Sequence, residues 1–303
     1  MKTLSSFFLS LILSFLHIAH LKTEKVDLVI YSYNRPMQLY AFLESIDKFV
    51  TGTGTISIIY RVDDKNYENA YELVKSDFSK MEFFKQGQNP HADFKPLVKK
   101  CGFETPNKYV SFAVDDIIVK DFVDLEECTA ALKKTESYSF LLRVGLNIDY
   151  CFMKKLKTPV PYHEWVVGDI YTWKFSDGAG DWIFPSNNDM TIYRKTDIEQ
   201  DLMSLNFRDT HYEGYWALKA DLNKKGLCFE QSKIVNITAN LVQNSKRNYR
   251  QFTNEWKSKM HLYTTEELLR KFNDGLKIDI TAFYKITNRA PHIEQEYVFI
   301  ERK

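Results

Sequence analysis

From Val26 onward the chain alternates two kinds of hydrophobic spacing. Val26-Asp-Leu-Val-Ile-Tyr-Ser-Tyr33 is a short β-branched and aromatic run, which predicts a strand. Pro36 then opens a segment with apolar residues at Leu39, Phe42, Leu43, Ile46 and Phe49, the spacing of one helical face. Residues 55–62 repeat the strand pattern, and residues 66–78 place Ala70, Leu73, Val74 and Phe78 on another helical face. A short third strand is expected at 81–84, and a third helix around Phe94, Leu97, Val98 and Cys101. Tyr109-Val-Ser-Phe-Ala-Val114 is nearly apolar on both faces, as a central parallel strand must be. This alternation of strand and helix predicts an α/β fold with a doubly wound, mostly parallel sheet flanked by helices.

No repeat, low-complexity tract or block of like charge interrupts residues 24–303, so one domain is expected there. With 44% hydrophobic residues the chain can bury a large core, which excludes a disordered protein. Lys and Arg number 41 against 40 Asp and Glu, so no strong field favours nucleic acid, and none is expected as a partner. Residues 1–23 differ from the rest. Lys2 precedes an apolar run from Leu4 to Ala19, which reads as a signal peptide or signal anchor and predicts export or membrane association. The run is shorter than the roughly 20 residues of a spanning helix and shows no clear cleavage site. Cys101, Cys128, Cys151 and Cys228 match no zinc or redox spacing and read as buried thiols, with one disulfide open to them after export.

Ligands of open α/β sheets bind beyond the carboxyl ends of the strands, and three of the four predicted ends are polar. They read Ser32-Tyr33-Asn34-Arg35, Arg61-Val62-Asp63-Asp64 and Asp115-Asp116. Asp and Asn are also common caps and turn residues, a local explanation that competes at each position. Two adjacent carboxylates after a buried strand repel each other unless a cation compensates them. Mg²⁺ or Mn²⁺ does so with hard oxygen ligands and completes its shell from substrate phosphates, which points to a diphosphate substrate. No P-loop, Rossmann fingerprint, H-E-x-x-H or G-x-S-x-G is present.

The segments VDLVIYSYNRP (26–36), IYRVDDKNY (59–67), YVSFAVDDIIV (109–119), DWIFPSNNDMTIYRKTDI (181–198), FRDTHYEGYW (207–216) and SKIVNITANLVQ (232–243) come in a specific order. In that order the chain resembles the bacterial family 2-like glycosyltransferases of the GT-A fold, from Val26 almost to its end. The resemblance implies a GT-A-like domain over 24–303 with an acceptor-side C-terminal extension. It also implies a nucleotide-sugar donor, expected to be a UDP-sugar, and a carbohydrate or glycoconjugate acceptor. Ser32, Asn34 and Arg35, with Asp63 or Asp64, would surround the base and ribose. Asp115 and Asp116 would be this chain's D-x-D metal motif, holding Mn²⁺ or Mg²⁺. The position two after Asp115 is Ile117, not an acid, which leaves Asp116 the main metal contact.

An inverting transfer needs a carboxylate that takes the acceptor's proton. Asp189 and Glu213 compete for that role, and Glu213, set among aromatics in His-Tyr-Glu-Gly-Tyr-Trp, is preferred. A first-turn helix position for Glu213 and a turn position for Asp189 are the plain structural alternatives. His211 and His292 are candidates for a third metal ligand, and Arg194, Lys195 and Arg208 for diphosphate contacts. Tyr162, Trp165, Tyr171, Trp173, Phe175 and Trp182 read either as core or as the lining of a sugar cleft. Asn236-Ile-Thr238 is a formal glycosylation sequon within a strand-like segment. The competing function is an exported, catalytically weak protein that binds carbohydrate through the same fold; a nucleotidyltransferase is a third.

Overall fold

The computed structural model describes residues 24–242 and 252–303. The apolar leader expected at 1–23 lies outside them. Among the described residues no helix is long and apolar enough to cross a membrane. Strands β1 (Val26–Tyr33), β2 (Thr53–Arg61), β3 (Glu82–Lys85) and β4 (Tyr109–Val114) are linked by helices α1 (Pro36–Phe49), α2 (Lys65–Asp77) and α3 (Pro90–Phe103). After β4 the chain turns at Asp115-Asp116 into β5 (Ile117–Val119), α4 (Leu125–Thr135) and β6 (Ser139–Leu141). A hairpin of β7 (His163–Val167) and β8 (Ile170–Lys174) follows, then β9 (Thr191–Arg194), α5 (Lys195–Ser204) and α6 (Tyr212–Ala217). Strands β10 (Lys225–Phe229), β11 (Ile234–Ile237) and β12 (His292–Ile293) lie further along the chain.

The nine-stranded sheet has the order β7-β8-β10-β6-β9-β4-β1-β2-β3. β1 runs parallel to β2 and β4, β2 to β3, and β10 to β6. β9 is antiparallel to β4 and β6, and β8 to β7 and β10, so seven of the nine strands point one way. The side-chain alternation of β1 separates two cores, as a strand's period of two requires. Leu28 and Ile30 join the core built with α1, α2 and α4, whereas Val29 and Tyr31 join the one built with α3, α5 and α6. Helices therefore cover both faces, which is the doubly wound arrangement.

Chain order moves from β1 to β3 on one side, and β4 then inserts on the other side of β1. The crevice between the carboxyl ends of β1 and β4 is the switch point where α/β sheets take ligands. A smaller sheet, β12-β11-β5, abuts it. Its register sets Asn236 opposite both Ile117 and His292. Ile117 is wholly buried in the core, so the position of the missing third acid does not face the crevice.

Trp173, Phe175 and Trp182 are core residues. The two indoles meet edge-on at 4.8 Å and donate to the Trp182 and Ile148 carbonyls, each at 3.0 Å. Tyr162 and Trp165 stand exposed at the β7 hairpin. None of the six aromatics between 162 and 182 lines the cleft described below, which corrects that alternative. All four cysteines are free, buried thiols.

Candidate active site

A cleft of about 620 Å³ opens at the switch point, walled by the residues that follow β1 and β4 and by α6. Ser32, Tyr33, Arg35, Asp115, Asp116 and Glu213 all line it. The chain leaves β1 through Asn34, whose φ of +53° is left-handed, a conformation Asn tolerates better than most residues. Pro36 then starts α1, its fixed φ suited to a first helical position. Arg35 between them gives α1 no side-chain cap, because a guanidinium has only donors and cannot accept from the free N–H groups of the first turn.

That guanidinium joins the two acids. Arg35 Nη1 donates to Asp115 Oδ1 at 3.0 Å and to Asp116 Oδ2 at 3.3 Å, and Nη2 donates to the Asn240 carbonyl at 2.8 Å. Asp115 Oδ2 accepts from the Ser32 hydroxyl at 2.7 Å and the Tyr33 N–H at 3.3 Å. The Tyr71 hydroxyl, 2.5 Å from that of Ser32, supports the arrangement from α2. Burial pushes the Asp115 carboxyl up; Arg35 opposes this and Asp116 adds to it. One guanidinium against two carboxylates leaves one negative charge. Of the two acids Asp116 is the more open, its side chain 19% exposed against 4% for Asp115.

Asn236 extends the network. Its Nδ2 donates to Asp116 Oδ1 at 3.3 Å and to Asp189 Oδ1 at 3.0 Å. Asp189 Oδ2 accepts from Arg143 Nη1 at 2.7 Å, and Arg143 Nη2 reaches Asp181 at 3.0 Å. Burial alone would raise the Asp189 carboxyl, but Arg143, His292 and these hydrogen bonds hold it below the usual range. Met190, with φ +51° and its side chain fully buried, turns the chain sharply between Asp189 and β9. Such a bulky left-handed residue stores strain of order 1 kcal/mol or more.

Glu213 is a third carboxylate near Arg143, after Asp189 and Asp181. It meets solvent at the cleft wall while its carboxylate end is enclosed, accepting from the Asn188 N–H at 3.4 Å. Burial and then the neighbouring Asp189 charge push it up to about 7, with Arg143 opposing. Its helix is tied to β1, since Tyr212 donates to Asn188 at 2.8 Å and its hydroxyl lies 2.9 Å from that of Tyr31.

The other expected residues divide. Asn34 and Asp63 bind each other twice, at 2.9 and 3.1 Å, and Tyr33 donates to Asp63 at 2.7 Å, so the ends of β1 and β2 are stitched together, although neither Asn34 nor Asp63 lines the cleft. The Arg61 guanidinium lies 4.5 Å from the Tyr33 ring centroid, a cation–π pair on the cleft wall. Asp64 is taken up as the N-cap of α2, accepting from the Asn66 and Tyr67 N–H groups, and does not line the cleft. Arg208, His211 and His292 do line it. Arg194 and Lys195 do not: Lys195 is buried against Asp27 at 2.8 Å, at the opposite end of β1, and Arg194 bonds to Asp197 and to carbonyls at 132 and 137. The diphosphate role expected of those two is thus corrected.

Among the described residues no three His, Cys, Asp or Glu side chains gather as a metal cage. Of the acid pair, the partly exposed Asp116 is the one that would be open to a divalent ion, and such an ion would need most of its ligands from elsewhere. Arg143, Asn236, Asn240 and Asn188 were not singled out as site residues by the sequence. Only the sequon drew attention to Asn236, and for another reason.

No protein-family profile matches the chain. No curated protein sequence matches it either. Among solved structures it is similar to S. aureus TarS, with 13% identity and a TM-score of 0.48 over 83% of this chain and 45% of that one. It is also similar to S. aureus TarS 1–349 in complex with UDP, with 14% identity and a TM-score of 0.46 over 82% of this chain and 70% of that one. A third likeness is to the 4-diphosphocytidyl-2C-methyl-D-erythritol synthase of Anaerococcus prevotii, with 12% identity and a TM-score of 0.40 over 76% and 96% of the two chains. The match thus spans about half the length of TarS, at 45%.

Proposed function

We propose that this chain is a metal-assisted, inverting glycosyltransferase that moves a sugar from a nucleoside-diphosphate sugar, expected to be a UDP-sugar, to a hydroxyl of a carbohydrate or glycoconjugate. One observation carries the reading. Across a single cleft at the switch point, Asp116 presents a partly exposed carboxylate that shares the Arg35 guanidinium with Asp115, while Glu213 holds a raised proton affinity. Pairs of carboxylates whose surroundings drive their pKa values apart mark acid–base roles, and Glu213 and Asp189 are such a pair.

Tyr33 with Arg61 offers a flat, cationic surface for a base, and Asn34 with Asp63 holds together the strand ends that carry it. Asp116 would hold the divalent ion, which when bound neutralises the departing diphosphate. Arg208 faces the same cleft as a further cation. Glu213, poised near neutrality, takes the proton from the attacking hydroxyl, a role worth about 10²–10⁴ in rate. Asp189 stays ionised, anchors Arg143 and raises Glu213.

Thermal melts with UDP-, GDP- and CMP-sugars, with and without Mn²⁺, test donor binding, because any ligand of the folded state stabilises it. Stabilisation by one donor class and slow sugar release are expected, with Glu213→Gln lowering turnover about 100-fold or more while keeping the melting shift. No shift with any nucleotide sugar and either ion would sink the reading. Glycan binding that persists without turnover in an Asp115→Asn, Asp116→Asn variant would favour a sugar-binding protein instead.

A further inference from the structure

We infer that Arg35 is a built-in counter-cation that closes the Asp115–Asp116 pair to free divalent ions, so that the chain takes up Mn²⁺ or Mg²⁺ only together with a nucleoside diphosphate. This rests on the reading of Asp116 as the contact of a diphosphate-bound ion. Three features carry it. The Arg35 side chain is 8% exposed, and its guanidinium is held by acceptors from two separate segments, the acid pair after β4 and the Asn240 carbonyl. Its backbone is fixed by left-handed Asn34 on one side and Pro36 on the other. Both Asp115 oxygens already accept hydrogen bonds, and Asp116 Oδ1 accepts from Asn236.

A hydrated Mg²⁺ or Mn²⁺ that met this site alone would find one partly exposed carboxylate, already facing a guanidinium. It would exchange at most one of its waters, which holds such an ion weakly. Diphosphate oxygens change the count, because they supply ligands and charge from the cleft side while Arg35 stays in place. Without the guanidinium, two adjacent carboxylates would remain uncompensated, and a divalent ion is what relieves such a pair.

The test is a titration of Mn²⁺ against the full chain, followed by the paramagnetic signal of free Mn²⁺, with and without UDP. The wild-type protein is expected to leave Mn²⁺ free into the millimolar range without nucleotide, and to bind it with UDP beyond what UDP alone retains. Arg35→Gln and Arg35→Met are expected to bind Mn²⁺ without nucleotide about tenfold or more tightly than wild type, because the guanidinium no longer repels a second cation at the acid pair. Asp116→Asn is expected to lose the UDP-dependent uptake. Wild-type binding of Mn²⁺ that is equally tight with and without UDP overturns the inference, and so do folded Arg35 variants with unchanged nucleotide-free affinity. Should both variants fail to fold, the wild-type titration still decides. The nucleotide-free arm tests Arg35 alone, whereas a failure of UDP and every other nucleotide to bind counts against the glycosyltransferase reading.

Discussion

Glu213 and Asp189 face the same guanidinium, yet their protons are held very differently. Asp189 has Arg143 at 2.7 Å and Asn236 at 3.0 Å, whereas Glu213 has a single long contact to a backbone N–H at 3.4 Å. A general base near 7 must be deprotonated to act, so kcat/KM is expected to rise with pH through about 7 and to lose that limb in Glu213→Gln. Stability should run the other way. Because the folded state raises this pKa, it binds the proton more tightly than the unfolded chain, and the favourable contribution is lost as pH rises through about 7. Melts of Glu213→Gln should therefore exceed wild type at pH 8 and converge with it near pH 5. For Asp189 the sign reverses, because its folded pKa is depressed. Asp189→Asn should cost about 3 kcal/mol in urea unfolding at pH 7, the scale of a broken buried ion pair, with the gap narrowing as pH falls through the carboxylate range.

Elements explain what could be read beforehand. The strands and helices from Val26 to Val114 carry clean periods of two and 3.6, and they form within a residue or two of where those periods place them, with β4 on its expected span. Ser32 near the end of β1, Arg35 just past it, and Asp115 and Asp116 just past β4 sit on strands that run parallel, so their meeting was legible. Arg194 and Lys195 misled because β9 is reversed. Its end lies at the amino edge of the sheet, while its start brings Asp189 to the carboxyl edge. Asn236 and Arg143 come from segments whose register no local pattern encodes, and only strand pairing sets Asn236 beside Asp116. Asp64 shows a local role winning over a distant one. Asp64→Ala should cost about 1 kcal/mol as a lost N-cap and leave donor-induced melting shifts unchanged.

At the scale of the molecule the two edges of the sheet do different work. The carboxyl edge gathers half-compensated charge around a cleft, and the amino edge closes its charges off, with Lys195 on Asp27 and Thr105 and Asn107 completing the same carboxylate. Lys195→Met should destabilise the fold by about 3 kcal/mol, because Asp27 stays buried without its cation, yet leave nucleotide affinity within twofold. The same separation gives Asn236 an unusual place. It is 1% exposed, and its amide nitrogen already spans two carboxylates, although it heads an Asn-Ile-Thr sequon. An oligosaccharide can reach that nitrogen only while the chain is still unfolded, and once attached it excludes both the strand and the bridge. Secretion from a glycosylating host should then split the product by mass into an unmodified, donor-binding fraction and a glycan-bearing fraction that never folds. For this chain the choice of expression host becomes a test of when β11 docks during synthesis.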